Sequence, residues 1–183
     1  MTIKHALPWM LAAALFASAA LQAQAPDKSA QIKRGEYIVT TGLCHDCHTP
    51  LVMKPGGPEP DMTRALSGHP QDIVIKAPAP ASSPWMGSFA PTLTAWSGPW
   101  GVSFTANLTP DPETGRLNDF TEEQFVQTMR TGRHKGQGRE ILPPMPWPFI
   151  GKMTDDDLKA VFAYLRQVTP IKNKVPDPLP PAQ

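Results

Sequence analysis

Apolar positions recur with helical spacing in three parts of the chain, and a long stretch with no such spacing separates the first from the other two. Asp27 or Ser29 can cap a helix, and Ile32, Gly35 and Val39 follow at i, i+3 and i+7. This spacing predicts a first helix running to about Thr41 and closed by Gly42. Gly35 falls on the apolar face, where it weakens the helix relative to alanine. That predicts either close approach by a second helix or a tolerated gap. Thr121-Glu122-Glu123-Gln124 has the capping-box form, and Phe125 and Met129 follow at i, i+4 before Thr131-Gly132 ends the second helix. A third begins at Thr154 with three aspartates at the positive end of its dipole. Leu158, Val161, Phe162, Leu165 and Val168 form its apolar stripe, and Thr169-Pro170 terminates it.

Between residues 51 and 110 the pattern breaks down into ten prolines and six glycines. Proline removes a backbone donor and blocks helix interiors, so this region predicts a long wrapping loop with short turns and one extended piece at 72–76. Trp85, Phe89, Trp96, Trp100 and Phe104 are too many large aromatics for a solvated linker and predict packing against a core or a cofactor. Asp111-Pro112-Glu113-Thr114-Gly115 is a turn. In 141–149, prolines 143, 144, 146 and 148 surround Met145 and predict extended geometry with little conformational freedom. The tail, 176–183, carries four prolines and no periodic apolar residues, which predicts an extended, poorly ordered segment.

The N-terminus has different chemistry. Trp9 to Leu21 is apolar except for Ser18, Lys4 and His5 precede it, and Ala23-Gln24-Ala25 is a small-x-small site. Too short to span a bilayer, the segment predicts a secretory signal, residues 1–25, cleaved after Ala25, with no membrane span remaining. Only Lys4 among the seventeen basic residues lies before position 26, and none of the sixteen acidic residues precedes Asp27, so 26–183 is formally neutral. That balance excludes the basic footprint of a nucleic-acid binder. Arg130, Arg133, Lys135 and Arg139 form a local basic cluster, read as solvated surface in preference to a docking or propionate-binding role.

The chemistry centres on Cys44-His45-Asp46-Cys47-His48. Two cysteines separated by two residues and followed by histidine are the attachment sequence of a c-type haem: each thiol adds to a vinyl group, and the histidine ligates iron. These are the only cysteines. A zinc site of three or four cysteines therefore cannot form in one chain. One using two of His45, His48, His69 and His134 would lack the short His-to-His spacing such sites use. A redox dithiol lacks its βαβ context. Haem attachment also requires an oxidising compartment, in agreement with export to the periplasm.

A second axial ligand decides between electron transfer and an open catalytic or gas-binding iron. Met53, Met62, Met86, Met129, Met145, Met153, His45, His69 and His134 are the candidates. Met145 is preferred because its prolines hold an extended loop that can present a thioether; His69, His134 and an open position are the alternatives.

At these residues the chain resembles monohaem cytochromes c of the class I fold, of the bacterial periplasmic type. The resemblance rests on the haem motif and on Arg34-Gly35-Glu36-Tyr37 before it. It also rests on Asn107-Leu108-Thr109-Pro110-Asp111, the Thr114-Gly115 turn, the acidic capped helix, Pro143-Pro144-Met145-Pro146 and the Asp-rich last helix. It covers roughly residues 33–50 and 100–176. Arg116-Leu117-Asn118 departs from the usual Gly-rich run. The resemblance implies an all-α class I cytochrome c fold, with helices packed round one covalent haem and a long Pro/Gly-rich wrapping loop. The cytochrome c domain would run over 26–175, with 51–106 as a loop insertion. It implies thioethers at Cys44 and Cys47, ligation by His48 and Met145, and a Gly57-Pro58 carbonyl receiving the second N–H of His48. The expected function is periplasmic electron transfer between redox-protein partners, without enzymatic acid or base chemistry. An electron-accepting subunit of a dehydrogenase, docking through 81–104, is the alternative, with an open-site haem enzyme or gas sensor after it.

Overall fold

The computed structural model describes residues 27–79 and 84–181, so the expected signal segment lies outside the described residues. Helix α1 spans Lys28–Thr41, α2 Cys44–His48, α3 Glu122–Thr131, α4 Trp147–Ile150 and α5 Asp155–Leu165. Asp27 caps α1 through its side chain, Thr121 and Gln124 form both bonds of the capping box on α3, and Thr154 caps α5. α5 ends at Leu165, short of the expected Thr169. Val168 still packs against the core that α1, α3 and α5 share, built on Val39, Phe125, Met129, Leu158 and Leu165.

Of the two readings of Gly35, close approach by a second helix is the one present. An added Cβ there would lie 1.9 Å from the Ala160 carbonyl oxygen, so α1 and α5 meet backbone to backbone. Among the described residues no helix is long and apolar enough to cross a membrane.

The all-α expectation does not hold. Two antiparallel sheets stand beside the helices: a hairpin of β1 (Leu51–Lys54) and β2 (Gly57–Pro60), and a three-stranded sheet in the order β3 (Ser88–Phe89), β4 (Ala95–Gly98), β5 (Gly101–Phe104). Pro55-Gly56 and Pro99-Trp100, which read as loop, are the turns between paired strands, with Lys54 opposite Gly57 and Gly98 opposite Gly101. The prolines inside β2 lie on an exposed two-stranded ribbon, where a missing donor is tolerated. The buried positions of the larger sheet include Ser97 and Ser103, so its inward face carries no hydrophobic alternation to detect. Residues 72–76 form no strand; Ile73 N–H closes a turn onto the Pro70 carbonyl.

The tail is extended but docked. Val102 and Leu179 exchange backbone hydrogen bonds of 3.0 Å in each direction, adding an isolated bridge to the edge of β5. Buried amides hold the segment leading to it. Asn173 Nδ2 donates to the Ser67 and His69 carbonyls at 2.7 and 2.8 Å while its Oδ1 accepts from Gln71 N–H. Asn107 Nδ2 donates to the Ile171 carbonyl. Truncating Asn173 to alanine leaves the Gln71 N–H and two buried carbonyls without partners, which costs about 2–3 kcal/mol. Urea unfolding of Asn173→Ala is expected to show a lower midpoint at unchanged slope; an unaltered midpoint would mean the tail segment contributes nothing to stability.

Candidate functional site

α2 starts abruptly because Leu43 takes a left-handed conformation, φ 66°, immediately after α1 ends at Gly42. That tight junction projects Cys44 and Cys47, three residues apart, from one face of a helical turn. Both thiols are free and half-buried. Burial pushes the Cys44 thiol up to about 11 and the Cys47 thiol above its usual value, so neither is held as a reactive thiolate.

His48 is buried, and its Nδ1 donates to the Ala106 carbonyl at 2.8 Å. The bond fixes the ring's orientation and tautomer and leaves Nε2 unprotonated and free of that bond. Burial lowers the pKa of His48 more than the Ala106 bond raises it, keeping the imidazole neutral, as a metal ligand must be. The resemblance placed this acceptor at Gly57-Pro58. Those residues instead pair with Lys54 and Met53 in the first hairpin. Ala106 was missed because a backbone carbonyl fifty-eight positions away has no side-chain signature.

Met145 is half-buried and packs against the same core cluster as Cys44. Its loop is clamped at several points. Ser103 Oγ on β5 donates to the Pro143 carbonyl at 2.5 Å, and Ile141 N–H donates to the Gly132 carbonyl. Trp147 lies over Gly132, whose φ of 66° closes α3 and where an added Cβ would sit 2.2 Å from the indole. The stretch is less extended than its prolines suggested: Pro146 precedes α4, with Pro148 in its first turn.

The alternative histidines differ in how far they are engaged. His69 is fully buried, with Nδ1 on Thr94 Oγ1 and Nε2 on the Ile73 carbonyl. His45 bonds Thr49 through Nδ1, and His134 packs edge-on against Phe120 at 4.9 Å. Among the described residues, no group of three or more His, Cys, Asp or Glu side chains converges on a point that could hold a metal ion.

The residues present fit the tetrapyrrole expected from the motif. Two thiols share a face, a neutral buried imidazole has its outer nitrogen bonded and its inner one free, and a thioether sits on a clamped loop. Three further buried nitrogens, Trp96 Nε1, Trp100 Nε1 and His134 Nε2, have no hydrogen-bond partner among the described residues. Orphaned buried nitrogens of this kind call for an explanation such as an absent group.

Among known proteins, the chain is 33% identical over 178 residues to the cytochrome c subunit of alcohol dehydrogenase (quinone) from Gluconobacter oxydans, covering 92% of this chain and 29% of that protein. It is 30% identical over 143 residues to the gluconate 2-dehydrogenase cytochrome c subunit of Pantoea cypripedii, covering 78% of this chain and 24% of that one. Over 86 residues it is 33% identical to the fructose dehydrogenase cytochrome subunit of Gluconobacter japonicus, covering 46% and 17%. The chain thus spans less than a third of the length of these relatives. No family model matches it.

Proposed function

We propose that this chain, a bacterial cytochrome c domain protein, is a one-electron carrier that accepts electrons from a dehydrogenase. The observation that carries the reading is His48: buried, neutral and fixed by Ala106 inside a Cys-x-x-Cys-His turn, it is oriented as a permanent ligand. The similarity to dehydrogenase cytochrome subunits supports the partner. Cys44 and Cys47 would hold one haem c through thioethers, with His48 and Met145 as axial ligands. Bound this way, the haem supplies an iron that cycles between ferric and ferrous states with little rearrangement. The chain's own residues orient the imidazole, clamp the thioether loop and exclude water; no side chain serves as acid or base. Export to the periplasm would follow from the N-terminal segment and is the compartment in which the thiols can be handled for attachment.

Met145 separates a closed carrier from an open-site enzyme or sensor. The reduced wild-type protein is expected to leave its optical spectrum unchanged under carbon monoxide. Met145→Ala is expected to bind the gas and to lose the wild-type ferric spectrum. A mutant that kept that spectrum and stayed closed to carbon monoxide would remove Met145 from the site. Co-purification separates the two carrier roles: a stable complex with a dehydrogenase supports the subunit role, and a monomer exchanging electrons freely with several partners sinks it.

A further inference from the structure

The His48–Ala106 bond is backed by a segment that belongs neither to the haem motif nor to the Met145 loop. Residues 66–69 are hydrogen-bonded to the chain at both ends of that bond. Next to the donor, Leu66 N–H donates to Thr49 Oγ1 at 3.0 Å and Gly68 N–H to the His48 carbonyl at 2.8 Å. Around the acceptor, the Leu66 carbonyl accepts from Leu108 N–H at 2.9 Å and His69 N–H donates to the Thr105 carbonyl at 3.0 Å. The segment therefore ties the backbone of His48 to the residues that flank Ala106. Its own conformation is unusual. Leu66 is fully buried yet has φ 61°, and Gly68 has φ 77°. A bulky residue in the left-handed region is strained and persists only where its surroundings fix it, an arrangement that gathers at functional sites.

Gly68 lies bare against the peptide group that holds the imidazole. A Cβ built there would stand 2.4 Å from the Thr105 oxygen, 2.5 Å from the Ala106 carbonyl carbon and 2.6 Å from the Ala106 oxygen. Asn173 braces Gly68 on both flanks, its Nδ2 bridging the Ser67 and His69 carbonyls at 2.7 and 2.8 Å. A turn alone accounts for the φ of Gly68; it does not account for the contact with Ala106. We propose that Gly68, braced by Asn173, is a positioning residue that sets how the Ala106 carbonyl meets His48 Nδ1–H, and through that bond how strongly the imidazole donates to the haem iron. This rests on the functional reading above. A well-made bond from Nδ1–H to a carbonyl raises the donating power of the other ring nitrogen. A stronger donor favours ferric iron, so a good bond lowers the midpoint potential and a poor one raises it. An added methyl at residue 68 would fall roughly 1 Å short of ordinary van der Waals distance from the Ala106 carbonyl. That acceptor already stands 2.8 Å from Nδ1 and has little room to move closer, so relief of the clash takes it off the N–H.

The test uses the purified holoprotein, comparing wild type with Gly68→Ala, Asn173→Ala and, as a control, Gly35→Ala. The midpoint potential is expected to rise in Gly68→Ala and, by less, in Asn173→Ala. In the reduced protein the His48 Nδ1 proton, followed by nuclear magnetic resonance, is expected to exchange with solvent about tenfold faster in Gly68→Ala, the protection that one ordinary hydrogen bond supplies. Gly35→Ala also drives a Cβ into a backbone oxygen, that of Ala160, and so loses stability without touching the His48 bond. Its potential and its proton exchange should be those of wild type. Should Gly68→Ala fail to fold, Asn173→Ala decides, because it removes the brace and adds no atom to the site. Wild-type potential and exchange in the folded variants, with haem attached, would overturn the positioning role and leave the carrier reading standing. An equal change in Gly35→Ala would trace the effect to lost stability and overturn it as well. A wild-type protein without haem on Cys44 and Cys47 would overturn the carrier reading and the positioning role with it.

Discussion

Replacing Gly35 with valine is expected to lower the stability of the protein by on the order of 3 kcal/mol, with Tm falling by roughly 10 °C for a domain of this size. An added Cβ meets the Ala160 oxygen at 1.9 Å, its carbonyl carbon at 2.6 Å and Tyr164 Cβ at 2.8 Å. Backbone atoms of α5 cannot rotate aside as a side chain can, so the two helices must separate. Separation strips contacts from Val39 and Leu158, which are fully buried where α1 and α5 share the core. Gly35→Ala sharpens the test because it reverses a sign. In an unhindered helix this change gains about 1 kcal/mol; here it should be destabilising. Gly56→Ala is the control, since nothing lies within 4 Å of a Cβ built there. Chemical denaturation of the three variants decides it, and a stabilised Gly35→Ala would mean that α1 and α5 do not cross as closely as the structure shows.

Three of the five helices, α1, α3 and α5, were legible because their signals are local. The Asp27, Thr121 and Thr154 caps sit next to what they cap, and the stripe of α5 repeats within a few turns. The sheets were not, for two reasons that can be named. Ser97 and Ser103 occupy buried strand positions, so the inward face does not read as apolar. The prolines and glycines flanking β1, β2, β4 and β5 are hairpin turns, yet by composition they look the same as loop.

The site divides the same way. Cys44 to His48 is a contiguous motif with a chemistry of its own, and Met145 is marked by its neighbouring prolines. What orients them is long-range: the Ala106 carbonyl on His48, Ser103 on Pro143, Trp147 over Gly132. Such partners become visible only when the chain has closed on itself.

Changing Cys44 and Cys47 to serine together is expected to abolish retention of haem through acidified-ketone extraction, while the polypeptide keeps its fold. Wild type should hold its haem through the same treatment, because a thioether survives conditions that break an axial bond. The fold should survive because the thiols are not bonded to each other, and α2 is held by elements the substitution leaves alone. Thr49 Oγ1 still accepts from Leu66 N–H, the His48 carbonyl still accepts from Gly68 N–H, and Ala106 still holds the His48 ring. The single variants should each keep a haem tethered by one sulfur, with the absorption bands of the reduced pyridine complex displaced from those of wild type. A double variant that released no haem would place the attachment elsewhere. One that unfolded would show Cys44 and Cys47 to be structural, and far-ultraviolet circular dichroism on the same sample separates these outcomes. Because burial already raises both thiols above their ordinary values, the apo chain should react sluggishly with disulfide reagents at neutral pH. A fast-reacting pair would instead mark a redox dithiol, and the haem assignment would fall with it.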